Sequence, residues 1–325
     1  MKQSEFSWID RYLKPLAFYP GSFNLQDDAA YIAVSEQAAL VVSTDAAVAG
    51  IHFEPTADPN LIARKTLLAA VSDLIAKGAM PFGYFMNMFL SEETLAESWL
   101  QAFTRGLSDV QQQYKMTILG GDTVCTKQNF AVDYTVLGWA EQGGMVQRNT
   151  AKDGDLLYVT GTLGDSYLGL QCLLEQMHLS SADRDWVLQR HFVPELRFEL
   201  MQKTRHFWTS SIDISDGFLA DLKHILQASN QSAIVDFDAL PFSEIGKSFL
   251  NEDANAIWKL LTGGEDYELI LTIEKDKKGA FEACAATTNT RVSHVGHLVS
   301  KREALLYNPE GATIVLPEKL GFQHF

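Results

Sequence analysis

Cysteine is scarce. Cys125, Cys172 and Cys284 are isolated, and none belongs to a C-x-x-C spacing. So sparse and odd a set excludes a disulfide framework and a cysteine zinc cage, and a cytoplasmic location follows as the default expectation. Basic residues are also few: 26 Lys and Arg stand against 41 Asp and Glu, a net charge of −15. Neutralising nucleic-acid phosphates needs a basic face, and none is visible, so no nucleic-acid partner is expected. No run approaches the roughly 18 uninterrupted apolar residues of a membrane span. The first residues, MKQSEFSWIDRYLKPL, carry acids early and have no apolar centre, so no signal peptide is expected. The nucleophile motif G-x-S-x-G and the protein-kinase pair H-R-D and D-F-G are absent. Gly246-Lys247-Ser248 imitates the end of a Walker A loop, but that spacing requires glycine at 241, where Pro241 stands.

What remains is ordinary for a soluble enzyme: 46% apolar and 21% charged residues over 325 positions, enough for two domains with sizeable cores. Periodicity predicts a short first helix from Ser4 to Leu13 and a buried strand at 39–44. Asp58 caps a long helix with Pro59 in its first turn and Gly78 past its end. Strands follow at 82–90, 116–120 and 131–138, with a helix over about 92–114 between the first two. The polar, glycine-containing stretch 141–155 reads as a boundary. It divides residues 1–143 from residues 144–325. Strands and helices continue to alternate in the second half, so the fold class is α/β of α+β type in two domains.

Acidic residues recur at the ends of apolar segments. LQDDAA holds Asp27 and Asp28, VVSTDAA holds Ser43, Thr44 and Asp45, and ILGGDT holds Gly120, Gly121 and Asp122. SIDISDG holds Asp213, Ser215 and Asp216, and LTGGEDYEL holds Glu265 and Asp266. Any one of these is explained by helix capping. Asp73, inside the apolar helix AAVSDLIAKGA, fits less well: a carboxylate there either sits at the solvent edge or carries a cost. Taken together, several carboxylates at the carboxyl ends of strands would need cations, because two charges 4 Å apart repel by roughly 4 kcal/mol at an effective dielectric near 20. Hard oxygen donors suit Mg²⁺, with phosphate oxygens as further ligands, and neighbouring glycines allow close approach to those oxygens. The loop GTLGDS (161–166) either lines a phosphate or is a plain capped turn. His294 and His297 read as a solvated strand edge.

In order along the chain, VVSTDAAVAGIHF, AAVSDLIAKGA, ILGGDT, YVTGTLGDS, IDISDGFLADL and LTGGEDYEL resemble the motifs of thiamine-monophosphate kinases. The resemblance runs from EFSWIDRYL to the terminal GFQHF. That family lies in a superfamily with aminoimidazole ribonucleotide synthetase, selenophosphate synthetase and a hydrogenase maturation protein. The resemblance implies an aminoimidazole ribonucleotide synthetase-like fold, a homodimer formed through the N-terminal sheet, and transfer of the ATP γ-phosphoryl group to thiamine monophosphate with several Mg²⁺ ions. It implies metal ligation by Asp28, Ser43, Thr44, Asp45, Asp73, Asp122, Asp213 and Asp216. It assigns nucleotide contacts to Gly121, Asp122, Arg148 and Ser215, and contacts to thiamine monophosphate to His52, Glu265 and Phe322. Two positions depart from the family pattern: Gln26 stands where glycine usually precedes the Asp pair, and Phe322 where Tyr or Trp is common. Phe322 keeps stacking but loses a polar tip. Selenophosphate synthetase would require a reactive cysteine near the N-terminus, yet the first is Cys125; the hydrogenase protein would require a C-terminal cysteine, and this chain ends QHF. The alternatives are another ATP-dependent synthetase of the superfamily, a metal-dependent phosphatase using the same acids on water, and a non-catalytic Mg-nucleotide module.

Overall fold

The computed structural model describes residues 9–25, 30, 32, 34, 38–141, 144–252 and 255–322. Two compact units result, one from Met1–Leu74 with Ala79–Met145 and one from Ile75–Gly78 with Val146–Phe325. No helix among the described residues is long and apolar enough to cross a membrane. Residues 4–8 of the first expected helix, and Gln26, Asp27 and Asp28, lie outside the described residues.

The first unit runs through strand β1 (Ala38–Val48), helix α1 (Pro59–Ala76), strand β2 (Met80–Leu90), helix α2 (Glu97–Tyr114), strand β3 (Thr117–Cys125) and strand β4 (Ala131–Glu141). Helix α1 begins where Asp58 Oδ1 accepts the Asn60 N–H at 2.8 Å. Ile62, Leu67, Leu68, Val71 and Leu74 are all buried, as in a helix that is apolar nearly all round. Helix α2 is one-sided instead, burying Leu100, Phe103, Leu107, Val110 and Tyr114. The sheet order is β1-β4-β2-β3. Strand β4 is antiparallel to both neighbours, and β2 runs parallel to β3. Strand alternation sorts the side chains into two faces. Tyr84, Met86, Met88, Val132, Tyr134 and Val136 are buried against the helices. There Tyr134 hydrogen-bonds Thr66 of α1 (3.1 Å), and Tyr84 accepts from Gln111 of α2 (3.2 Å). The opposite face carries Thr44, Phe85, Asn87, Asp122, Asp133 and Thr135, all at least partly exposed.

The second unit contains strand β5 (Leu156–Thr160), helices α3 (Asp165–Leu173), α4 (Ser181–Phe192) and α5 (Phe198–Thr204), and strand β6 (Trp208–Asp213). Helix α6 (Phe218–Ala228), strand β7 (Gln231–Val235), helices α7 (Glu244–Leu250) and α8 (Ala256–Thr262), and strand β8 (Leu269–Ile273) follow. The last elements are helix α9 (Lys278–Ala285) and strands β9 (Val292–Ser300) and β10 (Leu306–Tyr307). The sheet order is β10-β7-β9-β5-β8-β6. Only β10 and β7 pair in parallel; every other pair is antiparallel. Ile212, Phe218, Leu222, Ile225, Leu260 and Ile270 belong to the core between this sheet and its helices. Strand β9 lies inside the sheet, between β7 and β5, so the edge expected for His294 and His297 is not an edge. His294 is exposed and His297 half-buried, so their solvation does not require an edge strand.

Candidate active site

In the first unit, Ser43 and Asp45 pair with Val136 and Tyr134 of β4, and so face the helices. The Ser43 hydroxyl donates to Asp73 Oδ2 of α1 at 2.5 Å. Asp73 is therefore half-buried and tied to a strand that also carries Asp45, rather than standing at a solvent edge. Thr44 points to the other face, where its hydroxyl donates to Asp133 (3.3 Å) and Asn87 donates to the same carboxylate (3.1 Å). Asp122 is exposed on that second face, in the row Ala46–Asp133–Asn87–Asp122. Asp45 and Asp122 both lie inside strands, not at the ends the sequence suggested. Gly121 is required by the chain itself: at its φ of 150° an added Cβ would fall 1.8 Å from the Met86 carbonyl oxygen. His52 is half-buried, and its Nδ1 accepts the Val48 N–H at 3.0 Å, so the neutral ring carries its proton on Nε2.

In the second unit, β6 ends at Asp213, which is buried, and the chain turns through Ile214–Gly217 into α6. Asp221, one turn into α6, accepts the N–H groups of Asp216 and Gly217 on Oδ2, both at 3.1 Å. Two other segments dock on the turn. The Glu265 N–H donates to the Ser215 carbonyl (2.8 Å), and the Phe322 N–H donates to the Asp216 carbonyl (3.0 Å). Gly264 permits the first contact, since a Cβ there would lie 2.4 Å from the Ser215 oxygen. One corner thus gathers Asp213, Ser215, Asp216, Glu265 and the half-exposed ring of Phe322. Arg148 is anchored at the other end of α6, its carbonyl held by Ser210 and by Ser229 at that helix's C-terminus, and its charge, after burial, depresses the pKa of His224 on α6. Burial, then the charges of Asp213 and Asp216, push the Asp221 carboxyl up to about 8. The carboxylates of Asp213, Asp216 and Asp221 crowd the start of α6, which is the environment a divalent cation would relieve.

Beside the corner, Glu265 and Tyr267 have positive φ of 70° and 49°. The residues that follow each of them explain the strain. Asp266 is buried and accepts the N–H groups of Gly164 (2.7 Å) and Ser166 (3.1 Å) at the start of α3. The GTLGDS loop therefore offers these donors to an internal carboxylate, which decides between its two readings in favour of the capped turn. Burial, then the charge of Asp165, raises Asp266 to about 8. Glu268 is buried too, and Thr160, Arg190 and Arg197 donate to it. Burial would raise its pKa, but the two guanidinium groups win and hold it below the usual carboxylate range. The Glu265 carboxylate lies 3.6 Å from His191 Nδ1, which also meets Ser166 Oγ at 3.0 Å.

Sequence reasoning missed Asp221, His224, His191 and the Glu268–Arg190–Arg197 cluster. Asp221 and His224 had a readable signal, since their three-residue spacing puts them on one side of a helix that starts beside Asp216. The arginines had none, being 71 and 78 residues from Glu268 in sequence.

Two family models cover most of the chain. The N-terminal domain of AIR synthase related proteins matches residues 26–140, and the C-terminal domain matches residues 152–308. The class is accordingly that of two-domain AIR synthase related proteins. Thiamine-monophosphate kinase of Escherichia coli (strain K12) is 34% identical over 328 residues, covering 100% of this chain and 99% of that protein. The same enzyme of Caulobacter vibrioides is 36% identical over 326 residues, covering 99% and 91%. The crystal structure of thiamine-monophosphate kinase from Stenotrophomonas maltophilia K279a superimposes with a TM-score of 0.80 at 30% identity, covering 89% of this chain and 91% of that one. A structure of AaThiL complexed with AMPPCP and TMP gives 0.78 at 28% identity, covering 92% and 91%. The chain belongs to the thiamine-monophosphate kinase family.

Proposed function

We propose that this chain transfers the γ-phosphoryl group of ATP to thiamine monophosphate, giving thiamine diphosphate and ADP. The observation that carries the reading is kinship over the whole chain with thiamine-monophosphate kinases. The related AaThiL complex, which holds AMPPCP and TMP, supports it. The donor set fits Mg²⁺: hydroxyls and carboxylates, with Ser43 on Asp73 in one unit and Asp213, Asp216 and Asp221 crowded in the other. Ser43, Thr44, Asp45, Asp73, Asp122, Asp213 and Asp216 would hold the ions, with Asp28 from outside the described residues. Bound Mg²⁺ supplies neutralisation of the phosphate charge. Gly121, Asp122, Arg148 and Ser215 would position the nucleotide, and His52, Glu265 and Phe322 the thiamine monophosphate.

The protein's own work in this reading is alignment. An oxygen of the acceptor phosphate, already ionised near neutral pH, attacks the γ-phosphorus while the bond to the bridging oxygen of ADP breaks. No strong general base and no phosphoenzyme are needed. The reading includes a cytoplasmic homodimer, with residues 1–143 binding metal and ATP and forming the dimer, and 144–325 completing the site. The sheet order supports a dimer. Thr44 and Asp45 sit on one edge strand and Asp122 on the other, three strand spacings or roughly 14 Å apart along the sheet. One ion cannot bridge that span, whereas the edge of a second copy could.

Coupled ADP detection with and without thiamine monophosphate, across Mg²⁺ concentrations, tests the reading. ADP and thiamine diphosphate should appear together, and only with the acceptor. Phosphate release without diphosphate would indicate a phosphatase, and tight binding without turnover a binding module. Stoichiometric protein labelling by γ-labelled ATP alone would refute direct transfer.

A further inference from the structure

We propose that His191 is a positioning residue for thiamine monophosphate, holding the Glu265 carboxylate where it meets the thiamine half of that substrate. The inference deepens the proposed function and rests on it. Glu265 is fixed by its main chain: its N–H donates to the Ser215 carbonyl at 2.8 Å, and its φ of 70° is one that few side chains adopt. Backbone held in this way gathers at ligand sites. The main chain does not set where a long side chain points. The carboxylate, on a side chain 26% exposed, lies 3.6 Å from Nδ1 of His191, which is 3% exposed. That is longer than a hydrogen bond, and a small rotation of the Glu265 side chain closes it. Such contacts often tighten only when substrate is bound.

The imidazole itself is held in place. Its Nδ1 meets Ser166 Oγ at 3.0 Å, and the Ser166 N–H donates to the buried Asp266 carboxylate. Helices α3 and α4 pack so closely that a Cβ on Gly169 would fall 2.8 Å from the His191 Cβ and 2.5 Å from the Val187 carbonyl oxygen. A carboxylate only accepts, so the arrangement requires the proton on Nδ1, one N–H serving both Ser166 Oγ and Glu265. Charge decides which half of the substrate the carboxylate meets. It repels the phosphate, whereas the aminopyrimidine offers N–H donors and the thiazolium a positive charge. His191 therefore bears on recognition of the thiamine moiety, and not on the nucleotide or the phosphoryl step.

Steady-state kinetics on the full chain test the proposal. His191→Leu should raise KM for thiamine monophosphate about tenfold, with kcat and KM for ATP within about twofold. His191→Asn, whose amide nitrogen stands near the place of Nδ1, should recover most of that loss. In a Glu265→Ala background His191→Leu should add nothing. Val187→Ala opens a cavity in the same α3–α4 packing, and should lower Tm while leaving that KM within about twofold. A second readout needs no turnover. The nitrogen NMR signal of the His191 ring, identified by its absence in His191→Leu, should move when thiamine monophosphate is added without nucleotide. In Glu265→Ala it should stay still. An unchanged KM in His191→Leu, a further loss in the double variant, or a ring signal unmoved by bound thiamine monophosphate overturns the proposal. Binding without turnover in the unaltered protein refutes the kinase reading alone, and failure to bind thiamine monophosphate refutes both.

Discussion

Glu268 shows how a single buried charge is kept. Arg190 and Arg197 converge on it from α4 and the loop before α5, and the Thr160 hydroxyl satisfies a further lone pair at 2.7 Å. Removing the charge strands two guanidinium groups, one of them on Arg197 at 6% exposure. Glu268→Gln should therefore lose about 3–5 kcal/mol, read as a large fall in Tm by calorimetry. Asp266 makes the opposite demand. Its pKa rises from 3.8 to about 8 on folding, so the folded state binds the proton more tightly than the unfolded chain. The stability it contributes is complete below pH 3.8 and is lost as pH climbs towards 8. Asp266→Asn, which cannot titrate, should be less stable than the unaltered protein at pH 5, and the gap should narrow by pH 8. Parallel melts at the two pH values would show it; a constant gap would refute the assignment.

Elements were more legible than their partners. Apolar periodicity and the Asp58–Pro59 start gave α1, and alternation gave the strands. The strands expected at 39–44 and 116–120 continue to Val48 and Cys125 as β1 and β3. Pairing with β4 and β2 carries them past those limits. Register is invisible in a sequence, so the contact of Ser43 with Asp73 could not be read, although both residues were singled out. The acid corner around Asp213 was readable because its parts are short and adjacent, while the docking of Glu265 and Phe322 on it depends on tertiary packing. The glycines were read as clearance for phosphate, but the nearest atoms at Gly121 and Gly264 are carbonyls of this chain. Gly121→Ala should accordingly break the β2–β3 ladder. Its expected signature is loss of soluble protein or a sharply lowered Tm, not merely a raised KM for ATP.

For the whole molecule, neutralising either flank of the first sheet should stop turnover while sparing the fold. Asp45→Asn and Asp122→Asn are each expected to be inactive in the coupled assay with unchanged circular dichroism. If the acids of opposite edge strands meet across two copies, mixing and reassociating these two inactive variants should restore about a quarter of full activity, since half the dimers then hold one intact centre of two. Centres confined to a single copy would restore none. The placement of Asp45 and Asp122 on opposite margins of one sheet also bears on inheritance. If centres are shared between two copies, an allele defective at one margin, coexpressed in equal dose with the intact chain, would leave about half of all centres working. In that same shared arrangement an allele defective at both would leave about a quarter, a dominant-negative effect, whereas centres confined to one copy would leave about half.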